Sequence, residues 1–233
     1  MNYLANFLTS LSLVCGFASI IFSLENHFTF ASWAIILSVF FDGLDGQIAR
    51  RNPLPSEFGK ELDSLVDVIS FGIAPSVLGY IYIYHHFYLL ATLALFIYLF
   101  SSVMRLAKYN ITQKDELVNY FYGLPTTVSG GILASFILIY RRRGMVELPQ
   151  YLPVIFLIMV LVLAFLMVSR LKYLNLDGLK QVWGRKTRSV VLILAIALIF
   201  AAFFRKVGIS LFTLFLIYSI FSPFMAKKIN HNL

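Results

Sequence analysis

The sequence predicts an all-α fold, a polytopic integral membrane helix bundle. Three observations carry that expectation. The 233-residue chain is 60% hydrophobic and only 13% charged, whereas soluble domains are about half apolar and about a quarter charged. Apolar stretches recur at the ~20-residue length that crosses a bilayer. Lys and Arg gather on alternate connections, as the positive-inside bias requires.

Eight spanning stretches are expected, at 3–24, 28–49, 60–84, 87–108, 122–140, 151–169, 188–204 and 208–226. Short connections make 1–233 a single membrane domain. Residues 1–173 form a six-helix core, and 188–226 add a C-terminal helix pair after a basic loop. The first stretch lacks a basic n-region and a small-residue cleavage site, so it is expected to be a retained helix rather than a signal peptide. With both termini inside, 14 of the 19 Lys and Arg residues fall on the cytoplasmic side. Arg141, Arg142 and Arg143 run against the bias, and snorkelling at a helix end accounts for them.

The single cysteine, Cys15, lies inside the first stretch, so it is read as packing, with no disulfide within the chain. The net charge of +8 is assigned to cytoplasmic loops and anionic lipid headgroups, not nucleic acid. No basic helix or base-stacking surface stands free of the membrane.

Six of the eleven carboxylates crowd between Asp42 and Asp67, where helix 2 ends and helix 3 begins. Asp42 and Asp45 are spaced i, i+3, and Asp63 and Asp67 i, i+4, so each pair shares a helix face. Pro53, Pro55 and Gly59 break the run between them, which lets the two helices fold back with their acids converging. Four converged carboxylates at a membrane edge demand cations. Hard divalent metals take such oxygen ligands, and paired metals suit displacement at phosphorus. No Cys or His is placed for zinc. Glu57 and Glu61 read as solvated acids. Gly43 and Gly46 each cost about 1 kcal/mol in a helix, which points to a close approach by a ligand or a backbone. Ala49 is similarly small, and Arg50 is placed for a phosphate.

The pattern D-x-x-D-G-x-x-A-R, eight residues, G-x-x-x-D-x-x-x-D resembles the signature of the CDP-alcohol phosphotransferases. Here it is Asp42, Asp45, Gly46, Ala49, Arg50, Gly59, Asp63 and Asp67. The resemblance implies a membrane enzyme, commonly a homodimer, with a polar cavity open to the cytoplasm. It implies two divalent cations, Mg²⁺ or Mn²⁺, held by the four aspartates on the pyrophosphate of a CDP-linked lipid. Asp67 would also be the general base toward the acceptor hydroxyl, and CMP would leave. Gly46, Ala49, Arg50, Ser56 and Gly59 would line the CDP-lipid site, with Asn6 and Thr9 on the cytidine or phosphate.

Four further stretches resemble the phosphatidylserine synthase subgroup: FGKELDSLVDVISFGIAP (58–75), MRLAKYN (104–110), FYGLPTTVSGG (121–131) and LMVSRLKY (166–173). They imply CDP-diacylglycerol as donor and L-serine as acceptor. Lys108, Tyr109, Thr127, Ser129 and Gly130 depart from the subgroup pattern. A serine carboxylate wants a cation, and an arginine inside a membrane helix wants a reason. Arg105 is therefore the first acceptor-binding candidate, then Lys108, with Asn110 adding a hydrogen bond. Glycerol 3-phosphate or an inositol phosphate as acceptor, and an archaeal-type lipid as donor, are the alternatives within the family. A transporter or a lipid-binding scaffold are the alternatives outside it.

Overall fold

A computed structural model describes residues 2–50, 57–112, 120–140, 151–174 and 207–230. Ser56, Arg51, the arginines of 141–143 and the helix expected at 188–204 lie outside the described residues, as does the side chain of Arg50. The described chain forms α1 (Asn2–Leu24), α2 (Phe28–Arg50), α3 (Glu57–Asp67), a π segment (Val68–Ile73), α4 (Ala74–Ile83), α5 (Tyr88–Thr112), α6 (Thr126–Tyr140), α7 (Tyr151–Val168) and α8 (Val207–Asn230). Among the described residues, five spans are long and apolar enough to cross a membrane, with α3, the π segment and α4 counting as one. α6 and the Val207–Pro223 part of α8 are shorter apolar helices. Large apolar side chains such as Phe96, Phe100 and Phe165 stay exposed, as a lipid-facing surface requires.

Two features depart from the expected helices. The stretch expected to begin helix at 122 begins at Thr126 instead, preceded by β1 (Tyr120–Tyr122), which pairs antiparallel with β2 (Lys172–Leu174). This two-stranded ribbon is the only sheet among the described residues. Gly123 makes the exit from β1 possible. Its φ is +80°, and an added Cβ would run into the Met167 carbonyl. Its N–H donates to Leu171 O at 2.9 Å, and Leu124 N–H donates to Leu166 O at 3.0 Å. Gly123 is therefore required by loop geometry.

The third span is the second departure. It is continuous but switches to π winding straight after Asp67, with Ala74 N–H donating to Ile69 O. Pro75 is the physical reason. Proline has no N–H and its ring crowds the carbonyl four residues back, which here belongs to Phe71. The Tyr98 hydroxyl of α5 donates to the Phe71 carbonyl at 3.0 Å. Such π segments recur at functional sites, and this one directly follows a site aspartate. Tyr98→Phe is expected to leave the buried carbonyl unmet and to cost about 1–3 kcal/mol. Thermal unfolding in detergent measures this, and an unchanged midpoint would show that the carbonyl finds another donor.

Close backbone approach holds the bundle together. Small residues permit it where lipid supplies no hydrophobic drive between helices. α1 packs along α2 and against the π segment. Ser12 and Ser38 pair hydroxyl to hydroxyl at 2.7 Å across α1 and α2. Ser70 of the π segment donates to Ser12 O at 3.2 Å, and Gly16 faces Ser70 so tightly that a Cβ would overlap it. Between α1 and α2, Asn26 takes φ 60°, the left-handed turn that Asn tolerates well. α8 lies in contact with the core. It packs on α6 and β2, and the Phe215 ring sits 2.6 Å from where a Gly131 Cβ would be.

Candidate active site

The end of α2, the second half of α3, the first turns of α1 and the end of α5 meet at one end of the bundle. The helix spacing read from the sequence does what it implies. Asp42 of α2 and Asp63 and Asp67 of α3 bring carboxylate oxygens within 4.8 Å of one another. All three are half-buried. Asp42 and Asp67 are close enough to share a hydrogen bond.

Asp45 is placed differently from the other three. It is 4% exposed, and Thr9 of α1 donates to its Oδ2 at 2.7 Å. That is the length of a charge-assisted O–H···O⁻ bond. Thr9 therefore holds a carboxylate. Thr9→Val would leave the buried Asp45 charge without this donor, at a cost of about 1–3 kcal/mol. The Mn²⁺ concentration needed for half-maximal thermal stabilisation is expected to rise about tenfold. An unshifted titration would show that Asp45 does not depend on Thr9.

A cation fits this cluster. One Asp67 oxygen, Oδ1, is buried and has no hydrogen-bond partner among the described residues. An unmet buried carboxylate oxygen beside two further acids is a donor set for a hard divalent metal. Asp42, Asp63 and Asp67 are the residues that would hold it, with Asp45 alongside.

Arg105 of α5 is the cation the protein itself supplies. It is 8% exposed and lies within electrostatic reach of Asp67 and Asp42. One terminal nitrogen donates to Thr126 Oγ1 at 3.2 Å, and the guanidinium sits 5.8 Å from the Tyr109 ring centre. Its Nε is buried without a partner among the described residues. The site thus has a spare donor beside an acidic cluster.

The other candidates divide. Lys108 is exposed, one step around the helix from Arg105. Asn110 is half-buried, and its amide donates to Ser64 Oγ at 2.9 Å, while Ser64 donates to Lys60 O at 3.1 Å. Asn110 thereby braces α3 next to Asp63. Glu57 and Glu61 are exposed, in keeping with solvated acids. Ala49 is exposed, while Asn6, Gly46 and Gly59 are intermediate. A Cβ at Gly43 would meet nothing within 4 Å, so no neighbouring backbone accounts for that glycine. Ser64 and Thr126 were not singled out from the sequence, although each sits next to a motif residue that was. A hydroxyl adjacent to a signature acid or at a helix start is too common to stand out.

An acidic cluster for divalent metal at the end of a membrane helix bundle defines a class. The CDP-alcohol phosphatidyltransferase family model matches residues 2–168, and the chain belongs to that family. Among curated proteins, it is similar to a CDP-diacylglycerol–serine O-phosphatidyltransferase of Helicobacter pylori, at 31% identity over 92% of this chain and 88% of the relative. A Bacillus subtilis protein of the same name is 30% identical over 74% of this chain and 90% of its own length. An archaetidylserine synthase of Methanothermobacter thermautotrophicus is 32% identical over 76% and 71%.

Proposed function

We propose that this protein transfers the phosphatidyl group of CDP-diacylglycerol to the hydroxyl of L-serine, giving phosphatidylserine and CMP. The observation that carries this reading is the Asp42–Asp63–Asp67 cluster with Arg105 beside it. The names of the relatives add the acceptor. The phosphatidyltransferase and archaetidylserine synthase names share serine and differ in the lipid.

The protein's own groups divide the work. Asp42, Asp45, Asp63 and Asp67 bind two divalent cations, Mg²⁺ or Mn²⁺, with Thr9 fixing Asp45. When bound, such cations neutralise pyrophosphate oxygens and favour in-line displacement at phosphorus. Gly46, Ala49, Arg50, Ser56 and Gly59 line the CDP-lipid site, with Asn6 beside them. Asp67 takes the proton from the serine hydroxyl, a weak nucleophile that needs a base. The serine oxygen bonds to the phosphorus bearing the lipid, the bond to the CMP oxygen breaks, and CMP departs. Arg105 receives the serine carboxylate, with Lys108 at the exposed rim and Asn110 steadying α3. The protein acts in the cell membrane as a homodimer with the site facing the cytoplasm. Residues 1–173 carry the chemistry, and the C-terminal helices complete the same domain.

An acceptor series tests the reading. CMP release by the purified protein is measured with L-serine, glycerol 3-phosphate and inositol phosphate. Serine alone is expected to support turnover. Arg105→Lys keeps charge but loses the planar fork, and is expected to raise the serine KM by about tenfold or more. Turnover with a phosphorylated acceptor instead would retain the reaction and discard serine.

A further inference from the structure

The C-terminal helix α8 lies beyond the residues matched by the family model, 2–168. Yet it reaches Arg105. Tyr218 of α8 is within electrostatic reach of that guanidinium. Its ring stacks on Tyr173 of β2, with centroids 6.4 Å apart at 29°. A side-chain hydrogen bond with Ser222 orients it from within α8. Phe215 locked against Gly131 fixes the helix on α6, the same helix whose Thr126 holds Arg105.

Two buried polar groups in this corner take no partner among the described residues: Arg105 Nε and the Tyr173 hydroxyl. Tyr173 has no exposed surface. A buried hydroxyl without a partner is a net cost to folding, and its retention calls for a ligand. The chemistry of a zwitterionic acceptor supplies one. Arg105 suits the carboxylate but repels the ammonium. The aspartates nearby are committed to metal. Tyrosine rings and hydroxyls are then the groups that can receive an ammonium without adding charge, by cation–π contact and by accepting a hydrogen bond.

We propose that Tyr218 and Tyr173 form an aromatic wall of the acceptor pocket, facing Arg105 and selecting an acceptor that carries an ammonium beside its carboxylate. This inference rests on serine phosphatidyl transfer as the activity. α8 and β2, both beyond residues 2–168, are thereby specificity elements of the enzyme.

The test uses the full-length protein with CDP-diacylglycerol. Tyr173→Phe removes only the unmet hydroxyl, and Tyr218→Phe only the hydroxyl hydrogen bond. Tyr218→Leu removes the ring. If the wall binds acceptor, Tyr173→Phe and Tyr218→Leu each raise the serine KM about tenfold, while the KM for CDP-diacylglycerol stays within about twofold. Tyr173→Phe should also unfold no earlier than the parent, because it deletes a buried group without a partner. A purely structural tyrosine would not split the two KM values. The proposal is overturned if Tyr173→Phe and Tyr218→Leu both leave the serine KM within about twofold. If the parent protein releases no CMP with serine, the activity itself is wrong and the wall falls with it. Serine turnover in the parent with unshifted variants discards the wall alone.

Discussion

Asp67→Asn is expected to abolish turnover while leaving the protein folded. The amide keeps the size of the side chain and one acceptor oxygen. It loses the charge that could hold a metal and the capacity to take a proton. A positioned general base contributes about 10²–10⁴ in rate, and weakened metal binding adds to that, so a fall of at least about 10³ is expected. Stability should move the other way in the absence of metal. Asp67 lies against Asp42 and Asp63, and like charges that close repel, so neutralising one relieves the cluster. Without divalent cation, the variant should unfold at or above the parent's temperature. With Mn²⁺, the parent should gain and the variant should gain less. Retention of more than about a tenth of parental activity would remove Asp67 from the role of base.

Gly16→Val is expected to damage the fold and the site together. A Cβ at Gly16 would stand 2.8 Å from the Ser70 Cα, with the Ser70 hydroxyl closer still. Backbone cannot yield as a side-chain tip can, so α1 must move away from the π segment. That movement also weakens Ser70 on Ser12 O and draws Thr9 away from Asp45. Overpacking of this kind costs about 1–3 kcal/mol, occasionally more. The expected result is a lower unfolding temperature in detergent and a raised metal requirement. Gly43→Ala provides the contrast: its added Cβ meets nothing within 4 Å, and relief of a helical glycine worth about 1 kcal/mol should raise the unfolding temperature.

The aspartates were legible because helix periodicity is local. Spacings of three and four residues place acids on one face, and the breakers Pro53, Pro55 and Gly59 fold one face onto the other. Asp45 shows the limit of that logic. It shares a face with Asp42, yet a partner on α1 takes its charge, and no spacing rule reaches across 36 residues. The π segment was half legible. Pro75 is visible in the sequence, but the Tyr98 hydroxyl that donates to the Phe71 carbonyl comes from another helix. The β1–β2 ribbon was illegible, since three-residue strands show no period. Its only local mark was Gly123. The place of α8 against α6 rests on Gly131 receiving Phe215, a match between distant residues that only packing reveals.

Serine-dependent transfer at the aspartate cluster is open to direct measurement. The most direct measurement follows radiolabelled L-serine into lipid by the purified protein with CDP-diacylglycerol, alongside CMP release. Labelled phosphatidylserine and CMP are expected in equal amounts, dependent on Mg²⁺ or Mn²⁺ and lost with chelator. Label remaining in the aqueous phase, with CMP released no faster than without serine, would contradict it.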